Sequence, residues 1–259
     1  MKTAHPAVRP DRRSVGFGMD WAGASDRGLV RTTNQDAFLI VPESGLLIVA
    51  DGMGGQAAGD VAAALAVAAV SEAILSGGDR PAATLLDQGF VCAEAAVCRH
   101  VLAHPARRGM ATAVAAAVIR GNRVALAHLG DVRIYLARDD LLQRLTDDHT
   151  PPGRLLLAGL LNEEEARQHP DRNVVLEAVT DSKRPVRPQL ASFDLQDGDC
   201  LLLCSDGLWG DVPHSELAAA ITVSCSATDI VQRLIDRAIA AGGTDNITAA
   251  LFRCRAPAD

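Results

Sequence analysis

The order of apolar segments along this chain predicts an α+β protein whose layers are built around antiparallel sheets. Helical segments come in pairs between groups of short strands, whereas a doubly wound parallel sheet would place one helix between successive strands. The chain has 259 residues, 48% hydrophobic and 22% charged, which is typical of a globule with a sizeable core. We expect a loose leader over residues 1–13 and a single domain over residues 14–255.

The first half of the chain is predicted to run from strands into a helix pair. A turn at Pro42–Gly45 separates two apolar runs. Gly77–Gly78 ends one helix, Pro81 precedes the next and Pro105 stops it. In chain order we place strands at Ser14–Ala22, Asp36–Val41 and Leu46–Ala50, and helices at Ala57–Leu75 and Ala82–Leu102.

The second half is predicted to hold five more strands and a second helix pair. Residues 150–188 lack strong periodicity, and we interpret them as an irregular functional loop, called the flap below. Within it, Glu163-Glu164-Glu165 is typical of a helix start. The other elements are strands at Ala111–Ile119, Arg123–Leu129, Arg133–Ala137, Cys200–Cys204 and Asn246–Phe252, and helices at Ser215–Ile221 and Thr228–Ala241.

Charge, cysteine usage and missing motifs exclude several classes of function. The net charge is −7 and no stripe of Lys and Arg is present, so neither nucleic acid nor membrane is an expected partner. The six cysteines include no CxxC pair, which favours reduced thiols and a cytoplasmic location. No P-loop lysine, nucleophile elbow or cysteine-phosphatase loop occurs. We expect a monomer.

The most informative feature is a set of aspartates at the ends of predicted apolar strands. An Asp-Gly pair at a strand end is a common hairpin signal, so any one of these positions could be a simple turn. The pairs at Asp51 and Asp206, however, continue into a helix or a Gly-rich segment. The full set is Asp36, Asp51, Asp131, Asp206 and Asp245.

Carboxylates gathered at one sheet edge would repel each other unless a counter-ion holds them together. Neither His nor Cys stands among these strand-end residues, so the expected ligand set is all oxygen. Such a set favours the hard cations Mg²⁺ or Mn²⁺ over Zn²⁺. The sequence therefore predicts a site for divalent metal ions.

Five segments resemble, in order, the motifs of the metal-dependent PPM-type Ser/Thr phosphatases, the protein phosphatase 2C family. They are SDRGLVRTTNQD at Ser25–Asp36, VADGMGG at Val49–Gly55, LGDVR at Leu129–Arg133, CSDGLW at Cys204–Trp209 and GGTDNIT at Gly242–Thr248. The resemblance covers residues 14–253 and is greatest to the compact bacterial form. It implies a four-layer αββα sandwich of two antiparallel sheets flanked by helix pairs.

The resemblance also implies a set of metal ligands. Asp51 would bridge two Mn²⁺ or Mg²⁺ ions, and the carbonyl of Gly52 would bind one of them. Asp206 and Asp245 would complete the second ion. Asp131 would hold a third, weaker ion.

Two further residues would then carry the reaction with the substrate. Asp36, also at the metal site, would orient the attacking water, and Arg31 would grip the substrate phosphate, which its planar fork suits. The implied reaction is hydrolysis of phosphoserine and phosphothreonine in proteins, with a cognate Ser/Thr kinase as a further expected partner. The alternatives are a non-catalytic phosphoprotein-binding module on the same fold and a hydrolase of small phosphate esters.

One position departs from the family pattern close to the expected metal site. Members of the bacterial type often have His after Asp-Gly-Met-Gly-Gly, and this chain has Gln56. A His could protonate the leaving group, whereas Gln cannot. The alternative is that Gln56 is only a residue at the start of the following helix.

Overall fold

Two antiparallel sheets pack face to face at the centre of the protein. The computed structural model describes residues 18–54, 58–182, 185–222 and 225–255. Its strands are β1 (Gly18–Asp26), β2 (Ala37–Val41), β3 (Leu46–Met53), β4 (Ala111–Arg120), β5 (Arg123–Leu129), β6 (Arg133–Arg138), β7 (Leu141–Arg144), β8 (Val179–Thr180), β9 (Gln189–Asp194), β10 (Cys200–Cys204) and β11 (Ile247–Arg255). The first sheet has the order β1-β11-β10-β6-β7, and the second has the order β2-β3-β4-β5-β9, with β8 paired to β4.

Helices cover the outer face of each sheet. They are α1 (Gly59–Leu75), α2 (Ala82–Ala103), α3 (Pro151–Leu157), α4 (Glu163–Arg167), α5 (Asp206–Trp209), α6 (His214–Ile221) and α7 (Ala227–Ala240). The pair α1 and α2 packs on the second sheet, whereas α5, α6 and α7 pack on the first. The predicted four-layer αββα order is therefore confirmed.

The side chains of β3 show how the sequence specifies these layers. Successive residues of a strand point to opposite faces of the sheet. Leu46 and Ile48 pack under the helix pair, whereas Leu47 and Val49 pack between the sheets. All four are fully buried, which explains why this strand reads as a continuous apolar run.

Several predicted boundaries are wrong by a few residues. The first strand begins at Gly18 and ends at Asp26, four residues beyond the predicted Ala22, and β11 runs to Arg255. These two strands pair over nine positions, so backbone hydrogen bonds extend both beyond the apolar residues that signalled them. The leader at residues 1–13, the start of the first predicted strand at 14–17, and Gln56 lie outside the described residues.

Two strands and the structure of the flap were not predicted. The strands β7 and β9 form the edges of their sheets and carry mixed polar and apolar residues, so they lack the apolar run of a central strand. In the flap, Thr150 caps α3, and Asn162 and Glu165 form a capping box at the start of α4. The prediction of an irregular segment is therefore wrong for these helices, whereas the helix start at Glu163 is confirmed.

The six cysteines, which all lie within the described residues, form no disulfide there. Cys200, Cys204 and Cys254 are buried in the first sheet. Burial raises the pKa of the Cys200 thiol to about 12, and it raises that of Cys254 to about 11. No helix within the described residues has both the length and the apolar composition that a membrane crossing requires.

Candidate metal centre

The five predicted aspartates come together around one cleft between the sheets. Asp36, Asp51 and Asp131 lie at or next to ends of β2, β3 and β5 in the second sheet, and Asp206 and Asp245 flank β10 and β11 in the first. The cleft has a volume of about 590 Å³. Its lining includes Arg31, Asp51, Gly52, Asp131, Asp206 and Asp245, together with Asp60, Asn173 and Val175.

The end of β3 is held in place by close backbone packing. The hydroxyl of Thr112 on β4 donates to the carbonyl oxygen of Asp51 at 2.8 Å. At Gly52, a Cβ atom would lie 2.1 Å from the carbonyl oxygen of Gly59 and 2.5 Å from that of Gln35. Only glycine fits this approach, so the strand presents both the Asp51 carboxylate and the Gly52 backbone at the cleft.

Asp36 has one bonded and one free carboxylate oxygen. Its Oδ2 accepts hydrogen bonds from Ser205 at 2.7 Å and from Thr248 at 2.6 Å, whereas its buried Oδ1 has no hydrogen-bond partner in the part of the chain that the structure describes. Burial raises the pKa of Asp36 to about 7, because the two hydrogen bonds offset only part of the desolvation and the charges of Asp206 and Asp245 add to it.

Three of the aspartates that line the cleft also have raised pKa values. Burial, followed by the charges of neighbouring aspartates, raises the pKa of Asp51 well above its ordinary value. Burial raises the pKa of Asp206 to about 6, with Asp245 as the next cause. Asp131 is only 3% exposed, its Oδ1 has no hydrogen-bond partner, and burial raises its pKa well above the ordinary value.

These observations test whether the residues fit divalent cations. At this site, one buried carboxylate oxygen each of Asp36 and Asp131 has no hydrogen-bond partner among the described residues, and the mutual repulsion of the carboxylates is what a cation would relieve. Across the four described ranges, no three His, Cys, Asp or Glu side chains by themselves form a ready ligand group for one ion. The fit therefore depends on an all-oxygen set that includes backbone and water, which suits Mg²⁺ and Mn²⁺.

The metal-free protein is expected to lose thermal stability as pH rises from about 5 to 7.5. Asp36 has a pKa of about 7 against an ordinary 3.8, so the folded state retains a proton that the unfolded state releases. Its contribution is fully present below the ordinary value and is lost as pH rises through about 7. We expect the Tm in EDTA to fall by about 5 °C or more over this window, measured by scanning fluorimetry.

Asp36→Asn is the control for this prediction: an amide does not titrate, so the variant should lose less Tm over the window, and Asp206, whose pKa is about 6, should account for part of the remaining slope. Saturating Mn²⁺ should flatten it as well, since a bound cation favours the ionised carboxylates. A Tm of the metal-free protein that rises through the same window would contradict the assignment.

Arg31 lies at the mouth of the cleft, in an ion pair that the sequence did not indicate. Its Nη2 lies 2.6 Å from Oδ2 of Asp245. The arginine side chain is 52% exposed, so its planar head reaches both the aspartate and the open cleft.

Asn246 is a functional position that sequence reasoning missed. Its Nδ2 donates to the carbonyl oxygens of Arg27 and Thr33, both at 2.9 Å, and its Oδ1 accepts from the backbone of Gln35 at 2.8 Å. One amide thus holds the loop that carries Arg31. The available signal was its place directly after Asp245 in the GGTDNIT segment.

The fold and the cleft together define a class: a two-sheet αββα sandwich with a carboxylate-lined cleft between its sheets. Residues 28–242 match the family model described as protein phosphatase 2C. The chain belongs to the protein phosphatase 2C family.

Individual relatives agree with this assignment. The chain is 38% identical to the serine/threonine protein phosphatase PstP of Mycobacterium tuberculosis over 88% of its own length, but it spans only 43% of that protein. It is 35% identical to the protein phosphatase PhpP of Streptococcus pneumoniae, covering 88% of this chain and 94% of PhpP. A crystal structure of the PstP catalytic domain with two manganese ions superimposes with a TM-score of 0.83 at 33% identity, covering 93% of this chain and all of that one.

Proposed function

We propose that this protein hydrolyses phosphoserine and phosphothreonine in proteins by means of a centre of two Mn²⁺ or Mg²⁺ ions, with a third ion at Asp131. The observation that carries the proposal is that four of the predicted aspartates, from both sheets, line one cleft, with the buried Asp36 close enough to feel the charges of Asp206 and Asp245. One carboxylate oxygen each of Asp36 and Asp131 is buried without a hydrogen-bond partner in the described residues. Its relatives are named as serine/threonine phosphatases, and a structure of the PstP catalytic domain holds two manganese ions. Both observations support the same function. The proposed substrates are phosphorylated proteins, and the proposed functional partner is the kinase that makes them.

The proposed ligands divide between the two sheets. Asp51 and the carbonyl of Gly52 come from β3, whereas Asp206 is the first residue of α5, just after β10, and Asp245 lies in the loop before β11. When bound, two such cations supply an activated water and neutralise the charge of the phosphate. The close backbone contacts at Gly52 fix the end of β3, and with it the positions of Asp51 and of the Gly52 carbonyl.

The chain's own residues position the water and the phosphate. Asp36 is fixed through Oδ2 by Ser205 and Thr248, which leaves Oδ1 free to orient the attacking water and to take its proton. Arg31 can present two N–H groups to phosphate oxygens from the rim of the cleft. No covalent phosphoenzyme is required, because an activated water serves as the nucleophile.

The test is phosphate release from a phosphothreonine peptide by the purified chain. We expect turnover that requires added Mn²⁺ or Mg²⁺ and that stops when a chelator is added. A protein that binds the phosphopeptide in saturating Mn²⁺ without releasing phosphate would be a binding module, and one that cleaves only small phosphate esters would not be a protein phosphatase.

Asp206→Asn should shift the Mn²⁺ concentration needed for half-maximal activity upward by about tenfold or more. The substitution keeps the shape of the side chain but removes one formal charge from a proposed ligand. The measurement is a Mn²⁺ titration of activity at fixed peptide concentration. Wild-type activity of the variant in limiting Mn²⁺ would contradict the role of Asp206 as a ligand.

A further inference from the structure

Asp148 and His149, which lie just before the flap, contact the chain on both sides of Asp131, at Arg133 and at Gly130. On one side, the backbone N–H of His149 donates to the carbonyl oxygen of Gly130 at 2.8 Å, and the Gly130 N–H donates back to Nδ1 of His149 at 3.2 Å. On the other side, Asp148 accepts two hydrogen bonds from Arg133. The position of Asp131 is therefore tied to the base of the flap.

Arg133 is a buried cation that is not among the described residues lining the cleft. Its side chain is 8% exposed, its Nε lies 2.9 Å from Oδ1 of Asp148, and its Nη2 lies 2.6 Å from Oδ2. The guanidinium carbon also stacks 3.5 Å from the ring centroid of Trp209. A paired and stacked arginine of this kind fixes the geometry of every group that it touches.

Trp209 completes the link to the metal site. Its Nε1 donates to the carbonyl oxygen of Asp131 at 3.0 Å, and it ends the short helix α5, which begins at Asp206. The guanidinium of Arg133 thus binds Asp148 at the base of the flap and stacks on Trp209, which in turn bonds the backbone of Asp131. Trp209 also belongs to the helix that carries Asp206, another proposed ligand.

The same network continues into the flap itself. Arg144 on β7 lies 3.5 Å from the carboxylate of Asp148 and 3.4 Å from that of Glu163 on α4. A movement of α4 therefore changes the surroundings of Asp148, which is the carboxylate that orients Arg133.

We propose that Arg133 is a positioning residue that couples the flap to the ion held by Asp131. The inference rests on the proposed metal centre. Residues that hold a metal ligand in place commonly change metal affinity by 10- to 100-fold when they are removed. Because coupling between two sites is reciprocal, an ion at Asp131 should in turn stabilise the flap.

The first measurement is a Mn²⁺ binding titration. Electron paramagnetic resonance detects the Mn²⁺ that remains free at each step. Asp131→Ala defines the binding step that depends on Asp131. We expect Arg133→Lys, which keeps the charge but loses the fork and the stacking, to weaken that step by about tenfold. Trp209→Phe keeps an aromatic ring under Arg133 but lacks the N–H, and it should weaken the step in the same direction.

Tyr135→Phe is the matched control. The hydroxyl of Tyr135 accepts from Nη1 of Arg133 at 3.0 Å, so the variant removes a buried hydrogen bond of the same guanidinium. Tyr135 bonds neither Asp131 nor the flap base in the described residues, so the Asp131-dependent step should match wild type. If Arg133→Lys fails to fold, Trp209→Phe and this control still decide the question.

The second measurement is cleavage by trypsin at Arg154 and Arg172, which are exposed in the flap. Mn²⁺ should slow this cleavage in the wild type through the Asp131-dependent step, and it should not do so in Trp209→Phe at the same concentration. Such protection reports the flap independently of activity.

The outcomes separate this inference from the proposed function. The coupling alone would be overturned by the following result. The wild type turns over substrate with Mn²⁺ and shows an Asp131-dependent binding step, and that step has the same affinity in folded Trp209→Phe and Arg133→Lys. A wild-type protein with no Asp131-dependent binding would overturn both the third ion and the coupling. Failure of any Mn²⁺ to bind would overturn the proposed metal centre itself.

Discussion

Asp51→Asn is expected to lower kcat toward a phosphothreonine peptide by about a thousandfold or more in saturating Mn²⁺. The Mn²⁺ concentration is one that saturates the wild type. Asp51 is the one proposed ligand shared by two ions, so the loss of its charge should weaken both sites together and leave the variant unsaturated at this concentration. Metal-ion stabilisation of phosphoryl transfer contributes several kcal/mol, which corresponds to about this change in rate. The measurement combines phosphate release with a count of bound Mn²⁺, which should fall in parallel.

Asp60→Asn is the matched control for this variant. Asp60 is an exposed carboxylate in the first turn of α1 that also lines the cleft but belongs to no proposed ligand set. It should keep both its ions and most of its activity. If the two variants lose activity equally, the effect of Asp51→Asn would come from the total negative charge of the cleft and not from the loss of a metal ligand.

Arg31→Ala is expected to lower kcat/KM toward phosphopeptides by about 10- to 100-fold. This is the loss of transition-state binding expected when hydrogen bonds to a charged group are removed. The ion pair with Asp245 adds a second expectation of opposite sign. Because Arg31 places a positive charge beside a proposed ligand, its removal should leave the affinity for Mn²⁺ equal or higher. Steady-state kinetics and a Mn²⁺ titration of the same preparation measure both effects.

Arg31→Lys should restore only part of the activity, because an ammonium group cannot match two phosphate oxygens at once. Arg123→Ala removes the arginine of another exposed Arg–Asp pair, with Asp194 at 3.1 Å between β5 and β9, and it should leave kinetics unchanged. Kinetics of Arg31→Ala equal to wild type would mean that the residue serves only its ion pair.

The central strands and long helices could be predicted because one signal dominated each of them. Leu201–Leu203 in β10 and Ala113–Val118 in β4 are buried on both faces, so their apolar runs leave no other interpretation. The edge strand β9 has an exposed Leu190 beside polar neighbours, and its formation depends on pairing with β5. A partner that is distant in sequence leaves no local pattern to detect.

In the candidate site too, features that are local in sequence could be predicted, and contacts between distant segments could not. The positions of the aspartates at strand ends could be predicted, because apolar runs next to Asp-Gly pairs are local features. The ion pair of Arg31 with Asp245 and the loop contacts of Asn246 join residues more than 200 positions apart in sequence. Such contacts depend on β1 pairing with β11, which a single sequence does not display.

The burial of three thiols within the first sheet bears on how the protein would respond to oxidants. A thiol must ionise and be accessible to react with peroxide or an alkylating agent, and burial opposes both at Cys200 and Cys204. No cysteine lines the cleft among the described residues, and the exposed Cys92 lies on α2, which packs on the outer face of the second sheet. The chemistry proposed for this cleft uses oxygen ligands alone, so its activity should persist through redox changes that inactivate enzymes dependent on a reactive thiolate.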